Sequence, residues 1–203
     1  MSGSNRPPAA FSRASLRQVV VGAGERYGRI HFNHHPDPLG YGKTPSRFSD
    51  PRRRVAQHRF GVLYLGASLK VCFLEAFLRD RRNGVIGDYP IDERELDTRQ
   101  YAEIEVLRPM TLVNLQGDAL SVMGVPSDVA RGSRQGLARA WSVAFREHPS
   151  APDGIIYDSR LNGETNLAVY DRAIRKLGVV GSTPLRHAKG LAAVLNDLSI
   201  AIV

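Results

Sequence analysis

Cysteine is almost absent from this chain: Cys72 is the only one in 203 residues. It can form no internal disulfide, and its place in an apolar stretch marks it as a packing residue rather than a nucleophile. A reducing cytoplasm is therefore the expected compartment. Long hydrophobic runs are missing too. Nothing approaches the roughly 20 apolar residues that a membrane-spanning helix needs. Val19–Val21 is too short a patch for a secretory signal, so a soluble protein is expected. Aromatic residues interleaved with basic ones, the pattern of a single-strand nucleic-acid surface, are sparse. Zinc-finger and helix-turn-helix signatures are also missing. The adjacent His34 and His35 have no cysteine or carboxylate at regular ligand spacing, and neighbouring side chains rarely aim at one ion, so no metal is expected. The glycine-rich GAGERYG after Val19–Val21 fails as a dinucleotide fingerprint, because Tyr27 stands where that turn needs a small residue.

Basic charge is present in excess. Twenty-eight Lys and Arg against 20 Asp and Glu give a formal charge of +8, which calls for an anionic partner. Nucleic acid, a phosphate-bearing small molecule and an acidic protein all fit that charge. The arginines gather at Arg52–Arg54 and at Arg79, Arg81 and Arg82, with Arg47 and Arg59 nearby. Hydrophobic residues at 42% and charged residues at 24% are ordinary globular values, and the length suits one domain. Residues 1–14 are small, polar and proline-bearing, and are expected to form a flexible tail ahead of a single domain over 15–203.

Between them, periodicity and turn residues divide the rest of the chain. Strands are expected at 29–32, 61–66, 101–107, 111–115, 155–157, 167–170 and 199–203, and helices at about 68–80, 133–148 and 186–197. The segment 33–59, rich in proline, glycine and arginine, reads as a long loop of the kind that is functional or disordered. Strands and helices mix without regular alternation, which favours an α+β fold over a doubly wound one.

One stretch organises the whole. Residues 61–80, GVLYLGASLKVCFLEAFLRD, read as a buried strand closed by Gly66, then a helix capped by Ser68. From Val71 to Leu78 every helical position is apolar or small except Glu75. A carboxylate there either marks a solvent stripe and pairs with Arg79 at i,i+4, or sits in a cleft and does chemistry.

Set beside Arg29 in YGRIHF, Arg47 in PSRF, Tyr64 and Ser159 in DGIIYDSR, Glu75 completes a set that resembles the RES domain family, named for its Arg, Glu and Ser. The resemblance covers about residues 27–172, with a family-like C-terminal end. It implies an ADP-ribosyltransferase-like mixed core of two small β-sheets with surrounding helices, built around a cleft that binds NAD as substrate. It also implies a toxin of a toxin–antitoxin pair whose cognate antitoxin is of Xre type. The expected activity is that of an NAD glycohydrolase or phosphorylase, or of a mono-ADP-ribosyltransferase acting on a target protein. Homodimer formation is compatible with it.

By the same resemblance Arg29 and Arg47 face phosphate, Tyr64 and Glu75 stand at the ribose, and Ser159 donates to a phosphate or orients an arginine. His31 and Asn166 are further candidates for the cleft. The residue types suit the chemistry, since breaking the nicotinamide–ribose bond develops oxocarbenium character that a fixed carboxylate stabilises. Guanidinium is the side chain best matched to pyrophosphate oxygens. The rival is a non-catalytic nucleic-acid-binding module driven by the arginine runs. It predicts steep salt dependence and indifference to Glu75→Ala.

Overall fold

The computed structural model describes residues 5–52 and 55–203. Among the described residues, ten strands form two sheets. In chain order they are β1 (Gln18–Val21), β2 (Arg26–Phe32), β3 (Val62–Gly66), β4 (Tyr89–Ile91), β5 (Arg99–Val106), β6 (Met110–Asn114), β7 (Gly154–Asp158), β8 (Thr165–Tyr170), β9 (Leu177–Pro184) and β10 (Ile200–Ile202). The large sheet has eight strands in the order β1-β6-β7-β8-β3-β2-β5-β9, and β10 and β4 form a parallel pair of their own. The α-helices are α1 (Leu69–Phe73), α2 (Glu93–Asp97), α3 (Ala119–Val122), α4 (Asp128–Arg131), α5 (Gly136–Arg146) and α6 (Leu191–Asp197). The architecture is mixed α+β, as the irregular order of elements predicts.

The eight-stranded sheet is nearly two sheets. Its β9-β5-β2 part meets its β3-β8-β7-β6-β1 part at one residue pair, Gly28 with Gly66. Side chains approach both glycines closely there. A Cβ at Gly28 would lie 2.6 Å from the Tyr101 hydroxyl, and one at Gly66 would lie 2.6 Å from Val71 Cγ1 and 2.8 Å from Cys72 Sγ. Beyond that pair β2 and β3 part company, and the gap becomes the cleft described below.

Period-2 alternation explains the packing of the central strands. Val62, Ile155, Tyr157, Ala168 and Tyr170 point to one core with Trp141 and Phe145 of α5. Leu63, Leu65, Ile156, Leu167 and Val169 point to a second core with Ile104 and Leu112. A third core gathers Phe73, Phe77, Ile91, Leu96, Leu185 and Leu191 beneath α1, α2 and α6. Phe73 and Phe77 stack at 4.6 Å between ring centroids.

Some expectations change in detail. Phe11, inside the segment expected to be a flexible tail, lies in a short 3-10 helix (Ala9–Arg13) and is buried in edge contact with Trp141 at 4.8 Å. Trp141 Nε1 also donates to Asn5 O at 2.8 Å. An aromatic ring outweighs the polar residues around it. Strand β9 lies outside the strands expected from periodicity; it carries Gly178, Gly181 and Pro184, which the edge of a sheet accommodates. The helix expected over 68–80 begins where predicted, with Ser68 Oγ accepting from Val71 N at 3.1 Å. It then widens into a π-helical turn over Leu74–Leu78, closed by Arg79 N donating to Leu74 O at 3.0 Å.

Candidate active site

Glu75 sits inside that π turn. Such turns are rare and shift side chains off the regular helical face, which is why they recur at functional sites. Here the shift sets the carboxylate over the end of β8 and the turn that follows β7. Glu75 Oε1 accepts from Ser159 Oγ at 2.8 Å and from Asn166 Nδ2 at 3.3 Å. Both donors are buried. Oε2 lies 3.8 Å from Arg79 Nη1, a loose i,i+4 pair.

The turn carrying Ser159 is itself held. Ser159 N donates to Glu164 O at 2.7 Å, and Gly163 N to Ser159 O at 2.9 Å. The Glu164 carboxylate accepts from Ser68 Oγ, the hydroxyl that caps α1. The β7–β8 turn and the start of α1 are therefore one connected unit, and Ser159 meets Glu75 in fixed register.

A cavity of about 350 Å³ opens where β2 and β3 separate. Glu75, Asn166 and Tyr64 line it with three arginines, Arg29, Arg47 and Arg79, and among the described residues Glu75 is the only carboxylate in the lining. The local charge is strongly positive around one anion. Arg47 is only 5% exposed, and burial followed by the nearby Arg79 lowers its pKa. Burial also lowers that of Arg29, with Asp37 opposing. Two desolvated guanidinium groups in one cavity favour a multiply charged anion between them.

The expected residues come together in part. Arg29 lines the cavity, and its Nη1 also donates to Pro38 O at 2.5 Å and Gly40 O at 2.6 Å, so it pins the long loop to β2. Tyr64 lines the cavity with its hydroxyl already engaged. It accepts from Phe48 N at 2.8 Å and shares a hydrogen bond with Ser46 Oγ at 2.9 Å. Burial raises the Tyr64 pKa, against the opposing effect of those two contacts. Ser159 is aimed at Glu75 rather than at an arginine, and it supports the cavity from behind its wall.

His31 is buried outside the cavity lining, although by strand alternation it shares the face of β2 that carries Arg29. Its Nδ1 lies 3.0 Å from His35 O and 3.3 Å from Phe32 O, which assigns the ring proton to Nδ1. Arg79 joins the site without having been singled out for it. Its i,i+4 spacing from Glu75 was visible, but spacing alone did not separate a surface pair from a cavity wall.

Among the described residues of the arginine runs, Arg52, Arg81 and Arg82 are committed to the fold. Arg52 pairs with Asp50 at 3.0 Å and Glu147 at 2.5 Å. Arg81 pairs with Glu95 at 2.8 Å, and Arg82 donates to Leu198 O and Gly87 O. Arg53 and Arg54 lie outside the described residues. Among the described residues no helix is long and apolar enough to cross a membrane.

The protein is a small mixed α+β protein whose split sheet and carboxylate-bearing helix face a cationic cavity. It belongs to the RES domain family, whose sequence model matches residues 20–187. It is 42% identical over 127 residues to "Probable toxin y4kH" of Sinorhizobium fredii (strain NBRC 101917 / NGR234), an alignment covering 62% of this chain and 100% of that protein. Its fold is similar to a chain in the crystal structure of the M. tuberculosis MbcT-MbcA toxin-antitoxin complex. The TM-score is 0.60 at 18% identity, over 81% of this chain and 85% of that one.

Proposed function

We propose that this protein is a toxin that cleaves the nicotinamide–ribose bond of NAD. The observation that carries the reading is the Glu75 carboxylate, fixed by Ser159 and Asn166 at the wall of a cavity that is also lined by Arg29, Arg47 and Arg79. The arginines suit the pyrophosphate. The carboxylate suits the other end of the dinucleotide, where positive charge develops.

In the reaction the C1′–N bond breaks and its electron pair goes to the nicotinamide ring nitrogen. The ribose takes on oxocarbenium character, stabilised by the neighbouring Glu75 carboxylate, which also accepts from a ribose hydroxyl. The acceptor then supplies an electron pair to C1′ and gives up a proton. Water yields free ADP-ribose, inorganic phosphate yields its phosphate ester, and a side chain of a target protein yields a mono-ADP-ribosylated product. Ser159 and Asn166 hold Oε1 without reacting. The body of Tyr64, rather than its committed hydroxyl, meets the nicotinamide end.

Two comparisons support a toxin restrained by a cognate antitoxin: a relative bears the name of a probable toxin, and a similar solved fold comes from a toxin–antitoxin complex. An Xre-type antitoxin is the partner that the family resemblance implies.

The test is nicotinamide release from NAD by the purified protein and by Glu75→Gln, in phosphate-free and in phosphate buffer. Release that depends on Glu75 is expected. Stimulation by phosphate identifies phosphorolysis, and release independent of it identifies hydrolysis. Release only with cell extract, with label entering a protein band, identifies transfer. Equal release by Glu75→Gln would overturn the site.

A further inference from the structure

The Ser46–Arg47–Phe48 turn is part of a long loop, yet the backbone N and O of both Ser46 and Phe48, on either side of Arg47, are held by hydrogen bonds. Ser46 N donates to Ser49 Oγ at 2.9 Å, and Phe48 N to Tyr64 Oη at 2.8 Å. On the opposite side α5 supplies the donors: Arg139 Nε to Ser46 O at 2.9 Å and Ser142 Oγ to Phe48 O at 2.7 Å. Ser142 is fully buried on a helix face that is otherwise apolar, and Tyr170 Oη donates to its carbonyl oxygen at 3.1 Å. Phe48 is fully buried as well, with its ring edge-on to Tyr157 at 5.1 Å. Between these anchors Arg47 reaches the cavity, and its Nη1 donates to Gly132 O, ahead of α5, at 2.8 Å.

Such investment in one turn has a physical use. An arginine on a mobile loop loses its rotamer freedom when it grips an anion, and that loss weakens binding. A turn gripped from β3 on one side and α5 on the other has undergone that loss during folding. We propose that Arg139 and Ser142, together with the Tyr64 hydroxyl, are positioning residues that fix this turn so that Arg47 meets the diphosphate of the dinucleotide already ordered. The inference rests on the NAD reading of the cavity. It assigns a role to two residues of α5 outside the cavity lining, and it gives the Tyr64 hydroxyl a task other than touching ribose.

The experiment measures binding of ADP, which carries the diphosphate without the scissile bond, by titration calorimetry on the full chain. NAD kinetics are measured alongside. The variants are Arg47→Ala, Arg139→Ala, Ser142→Ala and Tyr64→Phe, with the double variant Arg47→Ala/Arg139→Ala. Arg47→Ala should weaken ADP binding most. Arg139→Ala and Tyr64→Phe should each weaken it about three- to tenfold, the size of one lost hydrogen bond, with the loss falling on KM more than on kcat. In the Arg47→Ala background, Arg139→Ala should cost nothing further, because positioning an absent guanidinium has no effect.

Wild-type ADP affinity in Arg139→Ala and Tyr64→Phe, with Arg47→Ala impaired, would overturn the positioning role and leave the phosphate reading standing. A full Arg139→Ala penalty in the Arg47→Ala background would overturn it equally. Unchanged affinity in Arg47→Ala, or no ADP binding by the wild type, would sink the phosphate reading and this inference with it. Arg139 is partly exposed, so Arg139→Ala keeps the test usable if Ser142→Ala fails to fold.

Discussion

Glu75 accepts two hydrogen bonds on one carboxylate oxygen and has a guanidinium 3.8 Å from the other, so its orientation is set by neighbours that do not themselves react. Glu75→Gln keeps the shape and removes the charge. Nicotinamide release should fall at least ~100-fold while the thermal midpoint stays near wild type, since the loss is electrostatic stabilisation of the transition state. Ser159→Ala removes the 2.8 Å donor and loosens the carboxylate. Turnover should drop about tenfold, the cost of one hydrogen bond to a charged group, with KM for NAD little changed. A rise in KM alone would place Ser159 at the phosphates instead. Cys72 is the contrasting case. Burial pushes its thiol pKa up to about 12, so at pH 8 the folded protein should not react with a thiolate-selective reagent, whereas the denatured chain should react at once. The sign follows from linkage. A raised pKa means that folding favours the protonated thiol, and this contribution is complete below the unfolded value of about 8.5 and fades as pH climbs towards the folded one.

Among the elements, the meeting of β2 with β3 is the most demanding position. Gly28 and Gly66 let the two parts of the sheet touch at one point and diverge, and the divergence creates the cavity. Gly66→Ala drives a methyl into Val71 and Cys72 at the start of α1, directly ahead of the π turn that carries Glu75. It should destabilise the protein by about 1–3 kcal/mol in urea unfolding, the usual range for overpacking, and should lower turnover as well because α1 has to move. Loss of activity without loss of stability would show that the strand–helix junction yields without strain. The π turn was hidden in the sequence for a related reason. Its residues LEAFL are good helix formers, and nothing in their propensities distinguishes a wide turn from a regular one.

At the scale of the whole molecule, Phe11 belongs to the core. Phe11 packs on Trp141, Phe145 and His148, with ring centroids at 4.8, 5.7 and 6.1 Å. Phe11→Ala should cost about 3 kcal/mol, as truncation of a buried aromatic does. An unchanged urea midpoint would mean that the segment is not docked in solution. The positive charge of the molecule is also organised. Arg52, Arg81 and Arg82 brace the fold through carboxylates and carbonyls, while Arg29, Arg47 and Arg79 line the cavity. Charge counting from the sequence registers both groups alike and cannot tell bracing from binding.

The α+β class, the positions of the central strands, the Ser68 cap and the anomaly of one carboxylate on an apolar helix were legible in the order of residues. These are local properties, written in periodicity and in the chemistry of single residues. Tertiary structure alone decided that Ser159 and Asn166, 84 and 91 residues away from Glu75, converge on one carboxylate oxygen. It alone brought Arg79 into the cavity, left His31 outside it and turned the Tyr64 hydroxyl to the Arg47 turn. The physical reason is one of range. A side chain's face on its own strand or helix follows from the neighbours in sequence, but its hydrogen-bond partner follows from how distant elements pack.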